Sequence, residues 1–148
     1  MPIPRRRVAI DGFFTGPGRT RRGANELLTA VRLPLPAKEQ VSRFYKAGTR
    51  PALDISTIAI AFAATRDSAG RLQAVRLALG AVAPTPIRAR KAEALLEGQV
   101  ITAALAESAA QAAAAEANPI DDVRASAWYR SHLVRVFVEE VLNDIRGN

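Results

Sequence analysis

Residues 54–66, DISTIAIAFAATR, constrain the fold more than any other stretch. Ile58, Ile60, Phe62 and Ala64 fall on one side of an extended chain, and Thr57, Ala59, Ala61 and Ala63 on the other. Period-two alternation of this kind excludes a helix. A strand with large residues on one side and small ones on the other is expected to be covered on both faces, or nearly so. The Asp, Ser and Gly of RDSAG (66–70) carry turn chemistry, and RLQAVRLALGAV returns with Val75, Leu77 and Leu79 on one face. The two runs therefore predict an antiparallel hairpin, and QVSRFYKAG (40–48) reads as a strand before it.

Three helices are expected to follow. The first is read from TPIRARKAEALLEG, with Thr85 as cap, Pro86 in the first turn and Gly98 as the stop. Pro84 and Pro86 then make a rigid corner, and Arg88, Arg90 and Lys91 are expected on the exposed side of the first turn, free to dock a neighbour. The second is the alanine-rich run from about Thr102 to Ala117, stopped by Asn118-Pro119. The third runs from about Val123 to Ile145, with Val134, Phe137, Val138, Val141, Leu142 and Ile145 as its apolar stripe and Asp121 and Asp122 at its positive end. Strands followed by helices indicate an α+β fold: a small three-stranded antiparallel sheet packed against three C-terminal helices.

The first third differs in character. Residues 1–50 hold eleven Lys/Arg against three Asp/Glu, a net of +8, while residues 51–148 carry ten against eleven, a net of −1. Residues 1–36 are broken by MPIP, TGPG and RLPLP around two strand-like runs, RVAIDGFF and ELLTAVRL, and read as a basic, strand-containing arm; residues 37–148 read as the self-sufficient domain. A basic arm can meet nucleic acid or an acidic protein surface. The few aromatic residues form no stacking ladder among the arginines, which argues against nucleic acid.

Chemistry is scarce. There is no cysteine, which removes disulfides, iron–sulfur ligation and thiol nucleophiles and suits a reducing cytoplasm. The start lacks a signal-peptide apolar core, and no run is long and apolar enough to span a membrane. His132 is the only histidine and has no ligand partner in its helix; Glu139 and Glu140, being adjacent, point about 100° apart. TGPGRT matches neither a P-loop nor a dinucleotide fingerprint. Neither a catalytic residue nor a metal site is expected.

Four stretches, in this order, carry a resemblance: FFTGPGRT…ELLTAVRLPLP (13–36), FYKAGTRPALDISTIAIAF (44–62), LALGAVAPTPIRARKAEALLEG (77–98) and DVRASAWYRSHLVRVFVEEVL (122–142). Together they resemble the C-terminal part of the FAD-binding (medium) subunit of molybdenum hydroxylases, the xanthine dehydrogenase and carbon monoxide dehydrogenase family. The resemblance implies an oxidoreductase complex in which electrons pass from a molybdenum cofactor through iron–sulfur clusters to FAD. It implies that residues 1–36 are the exit from an FAD-binding domain whose glycine-rich phosphate loops have no counterpart here. The chain would then form one wall of the flavin pocket and a docking surface. FAD is expected only together with that missing domain, with an iron–sulfur subunit and a molybdenum subunit as further partners and a homo-oligomer as an option. Two cofactor-facing residues carry over from the resemblance: Lys46, whose ammonium would approach the flavin ring, and Leu28, packing near it. Arg50 and Asp54 match an R…D pattern of the family, and Ala52 and Leu53 stand where some members have acidic residues. The alternatives are a stand-alone interaction module that has lost flavin function and a basic nucleic-acid binder.

Overall fold

The computed structural model describes residues 5–50 and 54–147, and the chain divides after Pro34 into two units. The first unit holds a two-stranded antiparallel ribbon, β1 (Phe14–Gly16) and β2 (Arg19–Thr20), in which Phe14 faces Thr20. Arg6 ties the unit together. Its guanidinium pairs with the Glu26 carboxylate and donates to the Arg21 carbonyl at 2.6 Å. The strand-like runs expected here are mostly not strands. Ile10–Phe13 turn instead, with the Phe13 N–H on the Ile10 carbonyl at 3.0 Å, and residues 26–33 join no strand. Alternation alone cannot make a strand: its N–H and C=O groups need a neighbouring strand. Leu27, Leu28, Val31 and Leu33 are accordingly exposed.

The second unit holds a four-stranded antiparallel sheet in the order β3 (Gln40–Ala47), β4 (Ile58–Arg66), β5 (Leu72–Gly80), β6 (Ile87–Arg88). The sheet thus has one strand more than the three expected. The fourth comes from the segment read as the first turn of a helix: Ile87 and Arg88 pair with Leu79 and Ala78. The physical reason is the open edge of β5, whose backbone groups take partners from whatever chain passes. Helix α1 (Arg90–Leu96) consequently starts later than expected, capped by no side chain, so Thr85 is not its cap. Gly98, at φ 73°, does end it.

Helix α2 (Ala103–Glu116) begins with Thr102 accepting the Leu105 N–H at 3.1 Å, and α3 (Ala127–Gly147) begins with Ser126 accepting the Tyr129 N–H at 3.2 Å. Asp121 accepts the Ala127 N–H at 2.6 Å, which places it at the positive end of α3. The third helix starts four residues later than its sequence suggests, because Asp122 holds residues 124 and 125 in a turn through their N–H groups at 2.9 and 3.1 Å.

The core lies between the sheet and the helices. Ile58, Ile60, Phe62, Leu72, Leu77 and Leu79 from the sheet meet Ala92 and Leu96 of α1 and Val134, Val138, Val141, Leu142 and Ile145 of α3. Each fully buried aliphatic or aromatic side chain contributes about 1.5–3 kcal/mol. The alanines Ala106, Ala109, Ala110 and Ala113 let α2 pack closely on α1 and α3. All of this sits on one face of the sheet. The other face, expected to be covered or nearly so, is open: Ala61 is exposed, and Ala59 and Ala63 are half-buried.

Candidate functional site

The open face is built in cross-strand rows. Lys46, Ala59 and Gly80 form one row, Phe44, Ala61 and Ala78 the next, and Ser42, Ala63 and Arg76 a third. Along the first two rows β4 and β5 carry nothing larger than a methyl group. The result is a flat floor flanked on β3 by Phe44, 67% exposed, and Lys46. β3 alternates as a strand must, so Arg43 and Tyr45 point the opposite way, toward α3. There Tyr45 meets Phe137 edge-on at 6.3 Å, and Asp144 of α3 takes the Arg43 guanidinium at 2.5 Å and the Tyr45 hydroxyl at 3.4 Å. Burial, with Asp144 and Glu140 nearby, pushes the Tyr45 phenol up from its ordinary value. The edge strand is thus fixed from behind, while Phe44 and Lys46 remain in front.

Lys46 is held as well as exposed. Its Nζ donates to the Asp54 carbonyl at 2.6 Å. The Asp54 carboxylate turns back onto the N–H groups of Thr49 and of Arg50, the latter at 3.0 Å. The Arg50 N–H is the first cause holding that carboxyl below its usual range. A Cβ at Gly48 would overlap the same carboxylate, so any larger residue after Ala47 has to displace the Asp54 side chain from this position. The Arg50 backbone N–H thus links residues 50 and 54, and the Arg50 charge also lowers that carboxyl. Ala52 and Leu53 lie outside the described residues. Leu28 belongs to the first unit, 60% exposed and in no strand.

The cations after the two prolines do not act as one group. Arg88 folds onto Glu93, with Nη2 2.8 Å from Oε2 and its Nε on Oε1, and its side chain is only 27% exposed. Its expected place on the exposed side of a helix is thereby corrected. Arg90 is 56% exposed at 3.7 Å from the same carboxylate, and Lys91 is exposed. His132 stacks on Trp128 at 5.4 Å and 6°, and no group of three or more metal-ligating side chains occurs among the described residues.

One buried residue near the floor escapes a reading by residue type. Arg130, 4% exposed, reaches the Thr57 and Ala81 carbonyls and both oxygens of Asp122. The signal was positional. Arg130 stands four residues before Val134, in line with the apolar stripe of α3.

Residues 43–145 match the CO dehydrogenase flavoprotein C-terminal domain. Over 93% of its length the chain is 35% identical to the xanthine dehydrogenase FAD-binding subunit of Escherichia coli O157:H7, covering 47% of that protein. It is 32% identical over 96% of its length to the carbon monoxide dehydrogenase medium chain of Hydrogenophaga pseudoflava, covering 49%. Among solved structures, carbon monoxide dehydrogenase from Hydrogenophaga pseudoflava superposes with a TM-score of 0.84 at 34% identity, over 90% of this chain and 46% of that one. Quinoline 2-oxidoreductase from Pseudomonas putida 86 gives 0.81 at 29%, over 92% and 46%. The chain spans about half the length of each relative. With the domain matched across both its sheet and its helices, this chain belongs to the CO dehydrogenase flavoprotein C-terminal domain family, the C-terminal part of the FAD-binding subunits of molybdenum hydroxylases.

Proposed function

We propose that residues 37–148 form one wall of the flavin pocket in the FAD-binding subunit of a molybdenum hydroxylase, with Lys46 facing the flavin and residues 1–36 leading to the FAD-binding half. FAD, when bound, supplies the electron acceptor of such a subunit. The observation that carries the reading is the Lys46 ammonium, held at the edge of a flat alanine and glycine floor by the Asp54 carbonyl. A planar ring can approach that floor, and a fixed cation there favours negative charge on whatever lies against it.

The residues fit a ring but not its phosphates. None of α1, α2 and α3 is entered through a glycine-rich loop; the residues before them are Ala89, Thr102 and Ser126. Pyrophosphate binding, which needs clustered backbone N–H groups, is left to the other half. Leu28 is proposed as a flavin neighbour on the family resemblance alone; its side chain is exposed within the first unit. Iron–sulfur and molybdenum subunits complete the proposed complex, and the substrate is chosen on those chains. No described helix is long and apolar enough to cross a membrane, and the cysteine-free sequence suits the reducing cytoplasm proposed for it.

The test is Lys46→Met in a complex assembled with the FAD-binding half. The variant keeps the stem and deletes the charge, so the flavin midpoint potential falls, while substrate oxidation at the molybdenum subunit is unchanged. An unaltered potential places Lys46 on an ordinary surface. The isolated chain is expected to purify colourless and to show no tight FAD site by calorimetry; stoichiometric yellow protein refutes the division of labour.

A further inference from the structure

Lys46 is positioned by a network that begins on α3, over eighty residues away in the chain. Thr57 precedes β4, and its N–H donates to the carbonyl of Ala47 at 2.8 Å. That bond closes the loop whose far side offers the Asp54 carbonyl to Lys46. The Thr57 carbonyl in turn accepts from Arg130 Nη1 at 2.7 Å. The same nitrogen reaches the carbonyl of Ala81 at 2.8 Å, just beyond Gly80, the residue that shares a row with Lys46 and Ala59. Ala81 has φ 62°, a left-handed conformation that an alanine keeps only when its surroundings hold it there. The other arm of the guanidinium, Nη2, lies 2.8 Å from each Asp122 oxygen, and Asp122 is itself fixed by the N–H groups of Arg124 and Ala125.

We propose that Arg130, locked by Asp122, is a positioning residue for Lys46: it fixes the two strand ends that set where the ammonium stands over the open face. A planar fork is required. One nitrogen spans two carbonyls while the other is held bidentately, a geometry that a lysine or a neutral side chain does not reproduce. The Asp122–Arg130 pair thus carries the position of α3 to the Lys46 end of the sheet, through Thr57 and Ala47. The inference takes its functional sense from the reading of Lys46 as the flavin-facing cation, but its geometry can be tested without flavin.

The chain has three lysines, so with carbon-13 lysine the Lys46 Cε signal is assigned by its loss in Lys46→Met. Asp122→Asn and Arg130→Gln are then compared with Leu142→Ala, a core substitution on the same helix that does not touch the network. Both network variants are expected to move the Lys46 signal and to speed hydrogen exchange at the Thr57 amide by roughly tenfold. Leu142→Ala lowers the melting temperature and leaves the Lys46 signal in place. An unmoved signal in Asp122→Asn overturns the proposal, as does an equal movement in Leu142→Ala. If Arg130→Gln fails to fold, Asp122→Asn decides. In the complex assembled with the FAD-binding half, Asp122→Asn is expected to lower the flavin potential in the direction of Lys46→Met. A moved signal together with an unchanged potential in Lys46→Met refutes the flavin reading alone and leaves the positioning intact.

Discussion

Glu93 decides whether the cations around α1 form a docking surface or belong to the fold. Its side chain, 7% exposed as a residue, accepts the Leu77 backbone N–H at 2.8 Å and both arms of Arg88. Beyond the two residues paired with β6, the edge of β5 is closed by carboxylates instead of a strand. Glu93 serves Leu77, and Glu97 serves the N–H groups of Ala74 and Val75 at 2.8 Å each. Changing Glu93 to Ala strands the Leu77 N–H in a site that is 0% exposed, which costs about 1–3 kcal/mol. It also removes the partner of Arg88. That side chain is 27% exposed and keeps a 3.3 Å bond to the Val75 carbonyl, so its share is at the low end, about 1 kcal/mol. Together the loss is about 3 kcal/mol, a fall of about 12 °C in melting temperature for a domain near a hundred residues. Thermal unfolding followed by circular dichroism measures it. Arg88→Gln is expected to fall by less, and Arg90→Gln and Lys91→Gln to stay within about 0.5 kcal/mol. A Glu93→Ala protein melting within about 3 °C of wild type refutes the edge-closing role. Full stability of Arg88→Gln would return that arginine to the surface.

Two further outcomes follow from the loop and its support. Gly48→Ala is expected to push the Asp54 carboxylate off the Thr49 and Arg50 N–H groups, seen as lost exchange protection at those two amides with a nearly unchanged melting temperature; retained protection would show that the loop closes by other means. The Asp122 carboxyl is held at about 2, first by the Arg124 N–H and then by Arg130. A folded-state value below the ordinary 3.8 means that this contribution is complete above about pH 4 and is lost as pH falls toward 2. Asp67 and Asp144 are also held low by their arginines, so acid weakens the wild type generally. The difference in melting temperature between wild type and Asp122→Asn should shrink over that window, and a constant difference would contradict the assignment.

The parts of the fold legible in the sequence are those governed by neighbours close along the chain. The β4–β5 hairpin shows in its alternation, α2 in its alanines between Thr102 and Asn118-Pro119, and α3 in its stripe. Ile87 and Arg88 were obscured because their conformation answers to the free edge of β5 and not to Thr85 and Pro86. The irregularity in β5 is similar. Ala74 takes φ 53°, and its N–H finds Glu97, 23 residues on, so nothing local announces it. Residues 26–33 show the converse: the right alternation without a partner strand yields no strand.

For the candidate site, period two alone places Phe44 and Lys46 on one face and Tyr45 on the other, and the register agrees. The identity of the face came from resemblance, since a lysine at a strand end has no distinguishing local pattern. Arg130 was hidden by its type. A cation near a helix start reads as solvated, and only its spacing to Val134 and Val138 marks it as inward. The same distinction separates Arg88 from Lys91. Both are cations beside α1, and what sorts them is which carboxylate the tertiary fold brings within reach: Glu93 for the Arg88 guanidinium, and Glu116 for the Lys91 backbone N–H. Charge in this chain is therefore structural wherever a strand edge or helix end leaves backbone groups to satisfy. Lys46 meets that rule on one side, through the Asp54 carbonyl, and departs from it on the other, toward the open floor.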